Sequence, residues 1–226
     1  SLAVASQVAA EAQPTEQTLS MWSLLTSGGI GGQLIMLVLF IQLFFALFLY
    51  FERLMAINKA SKIDASFMNN IKMNIMSGKI DAAKMLCAQT NSPVARLIEK
   101  GISRIGKPLE DINTAIENAG NLELYKLEKN TSMLATISGA GPMVGFLGTV
   151  VGMILAFQKM ASGGGQIEVG ALAEGSYTAM TTTVVGLVVG IIAYVGYNHL
   201  VVKTNKVVNQ MEANAVDFLD LLNEPV

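Results

Sequence analysis

Three long gaps between charged residues constrain this chain more than any other feature. No Asp, Glu, Lys or Arg occurs between Glu16 and Glu52, between Lys129 and Lys159, or between Glu174 and Lys203. A helix of about 20 apolar residues crosses the roughly 30 Å of bilayer hydrocarbon. The stretches GGQLIMLVLFIQLFFALFLYF (31–51), MLATISGAGPMVGFLGTVVGMILAF (133–157) and AMTTTVVGLVVGIIAYVGYNHLVV (179–202) all reach that length. Backbone polar groups in lipid must be satisfied within the spanning segment, which selects helices here. Composition agrees, with 52% hydrophobic and only 14% charged residues. The predicted fold is an all-α membrane protein with three transmembrane helices and cytoplasmic helical extensions.

Basic residues set the expected orientation. Twelve of the fifteen Lys and Arg lie from Arg53 to Lys129, and the first 52 residues hold none. The connector ASGGGQIEVGALAEG (161–175) carries two Glu and no basic residue, whereas Lys203 and Lys206 follow the third span. The positive-inside rule then places the N-terminus and the connector outside, and the central segment and C-terminal tail in the cytoplasm. The expected organisation is a leader or disordered extension over 1–17, an interfacial helix over 18–29 anchored by Trp22, and a first span over 30–51. A cytoplasmic helical region over 52–130 follows, then a second span over 131–159, a loop over 160–175, a third span over 176–202 and a C-terminal helix over 203–226.

Within 52–130, helix breaks are expected at Gly78, at NSP (91–93) and at GKP (106–108). Phe67, Ile71 and Ile75 form one apolar face, and Ile112, Ala115, Ile116 and Ala119 another. After the third span, Val201, Thr204, Val208, Met211, Ala215, Phe218 and Leu222 step by alternating three and four. That heptad spacing fits either a third helix that continues well into the cytoplasm and packs against neighbours or a tail folded back on its own subunit.

Little here suggests catalysis. The single cysteine, Cys87, excludes an internal disulfide, and no Cys/His cluster offers a metal site. His199, the only histidine, ends an apolar run and reads as an interfacial side chain. GISRIGKP comes near a phosphate-loop pattern, but Pro108 stands where Ser or Thr would bind magnesium. No enzyme activity, cofactor or nucleic-acid partner is expected.

The later spans are rich in small and hydroxylated residues. Gly141, Gly145, Gly148 and Gly152 mark the second, and Gly186 and Gly190 the third. Such residues let helix backbones approach closely, so these two spans are expected to pack on helices and the first to face lipid. Thr178, Thr181, Thr182 and Thr183 open the third span. At 100° per residue they cannot share a face, and a split between a lumen and a helix interface is expected. A membrane ion path normally needs an ionisable side chain, yet no carboxylate lies in any span. Either the chain moves no ions, or the titrating group belongs to another polypeptide.

LEKNTSMLATISGAGPMVGFLGTVVGMILAFQ and TTTVVGLVVGIIAYVGYN together resemble the ExbB/TolQ/MotA family of ion-driven motor proteins, its ExbB branch most closely. The resemblance rests on Pro142, Gly145, Gly148, Thr149, Val150 and Gly152 in the second span, Thr183, Gly186 and Leu187 in the third, the Tyr197–Asn198 pair, and Glu52–Arg53 after the first. It implies a homopentamer around a central pore that encloses a dimeric, single-span, ExbD-like partner with a membrane aspartate. It also implies a TonB-like protein as the receiver of the energy and the bacterial inner membrane as the location. By this resemblance Thr149 and Thr183 line the pore, with Thr178, Thr181 and Thr182 at the pore or a helix interface. The chain departs from the pattern at Thr178, where relatives commonly carry Glu, and at Ile191, Ile192 and Ala193, where a Pro is common. A TolQ-type motor and a non-transporting scaffold remain the alternatives.

Overall fold

The computed structural model describes residues 29–162 and 169–223, and all regular structure among them is helical. The expected extension over 1–17 and nearly all of the expected interfacial helix over 18–29 lie outside the described residues. The helices are α1 (Gly29–Ala60), α2 (Phe67–Met76), α3 (Ile80–Gln89), α4 (Pro93–Ile102), α5 (Leu109–Glu128), α6 (Thr131–Ser162) and α7 (Val169–Asn223). Among the described residues, three stretches are long and apolar enough to cross a membrane: Gly31–Ala60, Leu109–Ser162 and Gly175–Asn223.

Local chemistry explains the breaks. Gly78 and Gly106 both adopt positive φ, at +69° and +95°, a conformation that costs a residue without Cβ little. Ser92 caps α4, its Oγ accepting from the Ala95 N–H at 3.4 Å, with Pro93 in the first turn. Between α5 and α6, Asn130 takes φ +64°, a left-handed position that Asn tolerates better than most residues. The helices run further into the connector than the charge gaps mark, to Ser162 on one side and from Val169 on the other. Charge gaps measure hydrocarbon thickness, and a helix need not end where the hydrocarbon does.

The chain divides at Val38/Leu39, Val144/Gly145 and Val185/Gly186 into two compact units. In the unit built from 39–144 and 186–226, α1 buries a stripe of Leu39, Ala46, Leu49, Arg53 and Ile57. Its other faces expose Phe40, Phe44, Phe48 and Phe51, the distribution of a lipid-facing helix. Arg53 pairs with the neighbouring Glu52, and its Nη1 donates to the Lys126 carbonyl at 3.3 Å, tying α1 to α5. Phe67, Ile71, Ile112 and Ile116 are buried on the faces their spacing defines, with Ile75, Ala115 and Ala119 half-buried.

α7 continues without interruption to Asn223. Its buried stripe beyond the third span is Leu200, Thr204, Val207, Met211 and Phe218. Val201, Val208, Ala215 and Leu222 of the expected heptad sit half-exposed at the edge of that stripe. Phe218 packs beside Gly101 of α4, where an added Cβ would lie 2.6 Å from Cε1 of the ring.

Candidate functional site

The unit formed by residues up to 38 and 145–185 contains the hydroxyl cluster. Thr149 of α6 and Thr183 of α7 are hydrogen-bonded to each other through their Oγ1 atoms. Thr149 Oγ1 also lies 2.9 Å from the Ala179 carbonyl, and Thr183 Oγ1 lies 3.3 Å from the Gly145 carbonyl. Each hydroxyl has one proton to donate. Two arrangements are therefore available. Thr149 donates to Ala179 and accepts from Thr183, or Thr183 donates to Gly145 and accepts from Thr149. The pair can reverse its polarity by rotating two hydroxyls, but neither oxygen ionises in a physiological range. Both threonines are half-buried, so each keeps an edge open at the surface of the chain.

The other threonines are placed differently. Thr182 is 1% exposed and reaches the carbonyls of Ala179 at 2.8 Å and Gly145 at 3.2 Å. The Gly145 carbonyl thus receives both Thr182 and Thr183. Thr181 donates to the Tyr177 carbonyl one turn back at 2.9 Å, the back-bonding expected of a hydroxyl in a span. Thr178 is buried, and Gly32 of α1 approaches its Cγ2, which would lie 3.4 Å from an added Cβ.

Glycines make this proximity possible. A Cβ on Gly148 would stand 2.7 Å from Cβ of Thr182, and one on Gly152 would stand 3.1 Å from Cβ of Ala179. Gly175 meets Ala156 in the same way. The pair Ala156 and Gly175 was not singled out in the sequence. Its signal was the continuation of the four-residue small-residue steps from Gly152 to Ala156 and from Gly175 to Ala179.

In the unit of 39–144 and 186–226, Gly141 faces the Gly186 carbonyl and the Gly190 nitrogen, at 3.1 and 3.2 Å from an added Cβ. Gly190 lies against Pro142, 2.6 Å from its Cγ on the same construction. His199 shares a hydrogen bond with the Tyr50 hydroxyl through Nδ1 at 2.8 Å, on an exposed surface. Glu123, which the sequence did not single out, is buried on α5 and pairs with Arg96 at 2.6 Å and Lys126 at 2.7 Å. Burial pushes its carboxyl up, but the hydrogen bonds from Arg96 and Lys126 outweigh that, and the net shift is downward.

No group of three or more His, Cys, Asp or Glu side chains that could hold a metal occurs among the described residues. Burial, with a contribution from Glu99, pushes the Cys87 thiol up to about 12, which keeps it protonated and inert.

Comparison with known proteins gives a consistent family. A family model described as the MotA/TolQ/ExbB proton channel family matches residues 89–213, a range that includes both Thr149 and Thr183. The chain is 26% identical over 218 residues to the Tol-Pal system protein TolQ of Pseudomonas aeruginosa, covering 92% of this chain and 94% of that protein. It is 27% identical over 135 residues to a putative biopolymer transport protein ExbB homolog of Methanothermobacter thermautotrophicus, covering 60% and 47%. It is 32% identical over 132 residues to the TolQ of Haemophilus influenzae, covering 58% and 51%.

Proposed function

Since this chain belongs to the MotA/TolQ/ExbB proton channel family, we propose that it is the channel-forming subunit of an ion-driven motor. It acts as a homopentamer in the bacterial inner membrane, with its N-terminus periplasmic and its C-terminus cytoplasmic. The pore encloses a single-span ExbD-like partner dimer whose membrane aspartate takes up and releases the ion. One observation carries this reading. Thr149 and Thr183 meet across α6 and α7, keep an open edge, and have only each other and backbone carbonyls as acceptors, while none of the three charge-free stretches supplies a carboxylate.

In this arrangement the threonines hydrate and orient the borrowed acid, and the glycine-lined helix contacts hold the wall rigid. Each charge crossing the membrane gains about 2.3 kcal/mol per 100 mV. That energy moves the partner dimer and passes onward, to a TonB-like protein in an ExbB-type system. The near full-length likeness to a TolQ favours equally a TolQ-type role in envelope maintenance.

The test replaces Thr149 and Thr183 by Val, which keeps the shape and removes the hydroxyl, and Thr149 by Ser, which restores it. Co-purification of the partner reports assembly. TonB-dependent uptake and resistance of the envelope to detergent report function. Intact assembly with function lost in both Val variants and kept in Thr149→Ser supports the motor. Unchanged energisation in the Thr149→Val/Thr183→Val double variant rejects it in favour of a scaffold. Which of the two functional readouts fails separates the ExbB role from the TolQ role.

A further inference from the structure

A cavity of about 490 Å³ opens at the junction of α5 and α6, with α7 as its far wall. α5 ends at Glu128, Lys129 is extended, and the left-handed Asn130 turns the chain into α6. The Asn130 side chain lies beside the Glu52 carboxylate and helps hold it below its usual value, and the Asn130 carbonyl accepts from the Met133 N–H at 3.2 Å. Residues Thr131 and Ser132, which begin α6, line the cavity. The first-turn N–H groups of a helix have no carbonyl partner within it and carry the positive end of its dipole.

A helix end alone would mean little, but a further observation points to a ligand. Thr131 is 6% exposed and its Oγ1 has no hydrogen-bond partner, a costly condition for a buried hydroxyl. Thr204, 3% exposed, contributes a second buried hydroxyl side chain to the cavity wall from α7. Among the described lining residues, Glu128 and Lys129 are the charged ones, and Tyr125 and Tyr197 bring two phenol rings.

The cavity also lies at a defined depth. One charge-free stretch begins just after Lys129 and another ends just before Lys203. This is the level of lipid head groups, where Tyr is enriched.

We propose that this cavity holds the head group of a zwitterionic membrane phospholipid with an unsubstituted ammonium, of the phosphoethanolamine type. Its phosphate is bound at the amino end of α6 with Lys129 and Thr131. Its ammonium is bound by Glu128 beside the Tyr rings, which attract cations through their faces. The balance of charge selects the class. An anionic head group would leave Glu128 opposite a second negative charge, and an uncharged one would leave Glu128 without a complement. The inference does not depend on ion passage, so it stands or falls separately from the motor.

The test is native mass spectrometry of the full chain, delipidated in detergent and titrated with phosphatidylethanolamine or phosphatidylglycerol. The wild type is expected to bind phosphatidylethanolamine about five- to tenfold better. Lys129→Gln should lose most of that binding, and Glu128→Gln should reverse the preference toward phosphatidylglycerol. Both side chains are exposed, so unchanged circular dichroism should accompany both results. Thr131→Val should raise the melting temperature without lipid and reduce the stabilisation by phosphatidylethanolamine. Equal binding of the two lipids, or unaltered binding in Lys129→Gln and Glu128→Gln, overturns the proposal. So does soluble glycerophosphoethanolamine binding as tightly as the lipid, since the source would then not be the membrane.

Discussion

Replacing Gly190 by Ala tests whether the α6–α7 contact is as tight as its geometry implies. An added Cβ would stand 2.6 Å from Pro142 Cγ, 2.7 Å from Pro142 Cδ and 2.9 Å from the Ser138 carbonyl oxygen. None of these atoms belongs to a flexible side chain: two sit in a proline ring and one is backbone. Pro142 has no N–H to offer Ser138 one turn back, so that carbonyl lacks its usual helical donor at the contact. Restoring ordinary contact at about 3.4 Å requires a local separation of about 0.8 Å, which also loosens Gly141 from Gly186. Overpacking of this kind costs about 1–3 kcal/mol, against a helix-propensity gain of up to about 1 kcal/mol for Ala over Gly. The expected net loss is about 1–2 kcal/mol, or about 2–8 °C in melting temperature for a chain of this size.

Gly139 supplies the control, because an added Cβ there meets nothing within 4 Å. Gly139→Ala should raise the melting temperature or leave it unchanged. Pro142→Ala in the Gly190→Ala background should recover at least half the loss, since it removes two of the three clashes and returns an N–H to Ser138. Thermal unfolding in detergent, followed by far-ultraviolet circular dichroism, gives all four values. Equal shifts for Gly139→Ala and Gly190→Ala, with no recovery from Pro142→Ala, would show the reasoning to be wrong.

Two further outcomes follow from the α3–α5 region. Glu123→Gln should destabilise the fold by about 1–2 kcal/mol at neutral pH, a figure kept low because Arg96 and Lys126 are both partly exposed. The folded carboxyl is shifted downward from its ordinary value of 4.5, so its contribution is complete above that unfolded value. That contribution is lost as pH falls through the folded value. The stability gap between wild type and Glu123→Gln should therefore close on acidification, and urea titrations at pH 7 and pH 3 measure it; a gap that widens in acid contradicts the assignment. Cys87, with its thiol at about 12 and its side chain buried, should resist maleimide at pH 8 in the folded chain and react within minutes in denaturant. Rapid labelling of the folded chain would contradict the burial.

Much of the architecture was legible because it rests on properties local to each segment. Charge gaps fix the apolar lengths, and Gly78, Ser92–Pro93 and Pro108 interrupt helices through their own backbone chemistry. The spacing of Phe67 and Ile71, or of Ile112 and Ile116, names a buried face without naming its partner. The family resemblance singled out Thr149 and Thr183, but it carried no information about how their protons are shared.

What only the tertiary structure decided concerns which surface each residue meets. Thr182 and Thr183 are neighbours of the same type, yet one is sealed against Gly148 and the other keeps an open edge beside Thr149. The heptad after the third span predicted Val201, Val208 and Ala215 in the seam, but packing turns α7 so that Leu200 and Val207 are covered instead. Glu123 gave no signal beyond Lys126 one turn later, because Arg96 reaches it from another helix. Sequence therefore determined which segments are long and apolar enough to cross a membrane and where the central helices break, since those depend on residues a few positions apart. Only the folded chain determined which hydroxyls pair and which acid is buried, because those depend on atoms brought together from distant positions.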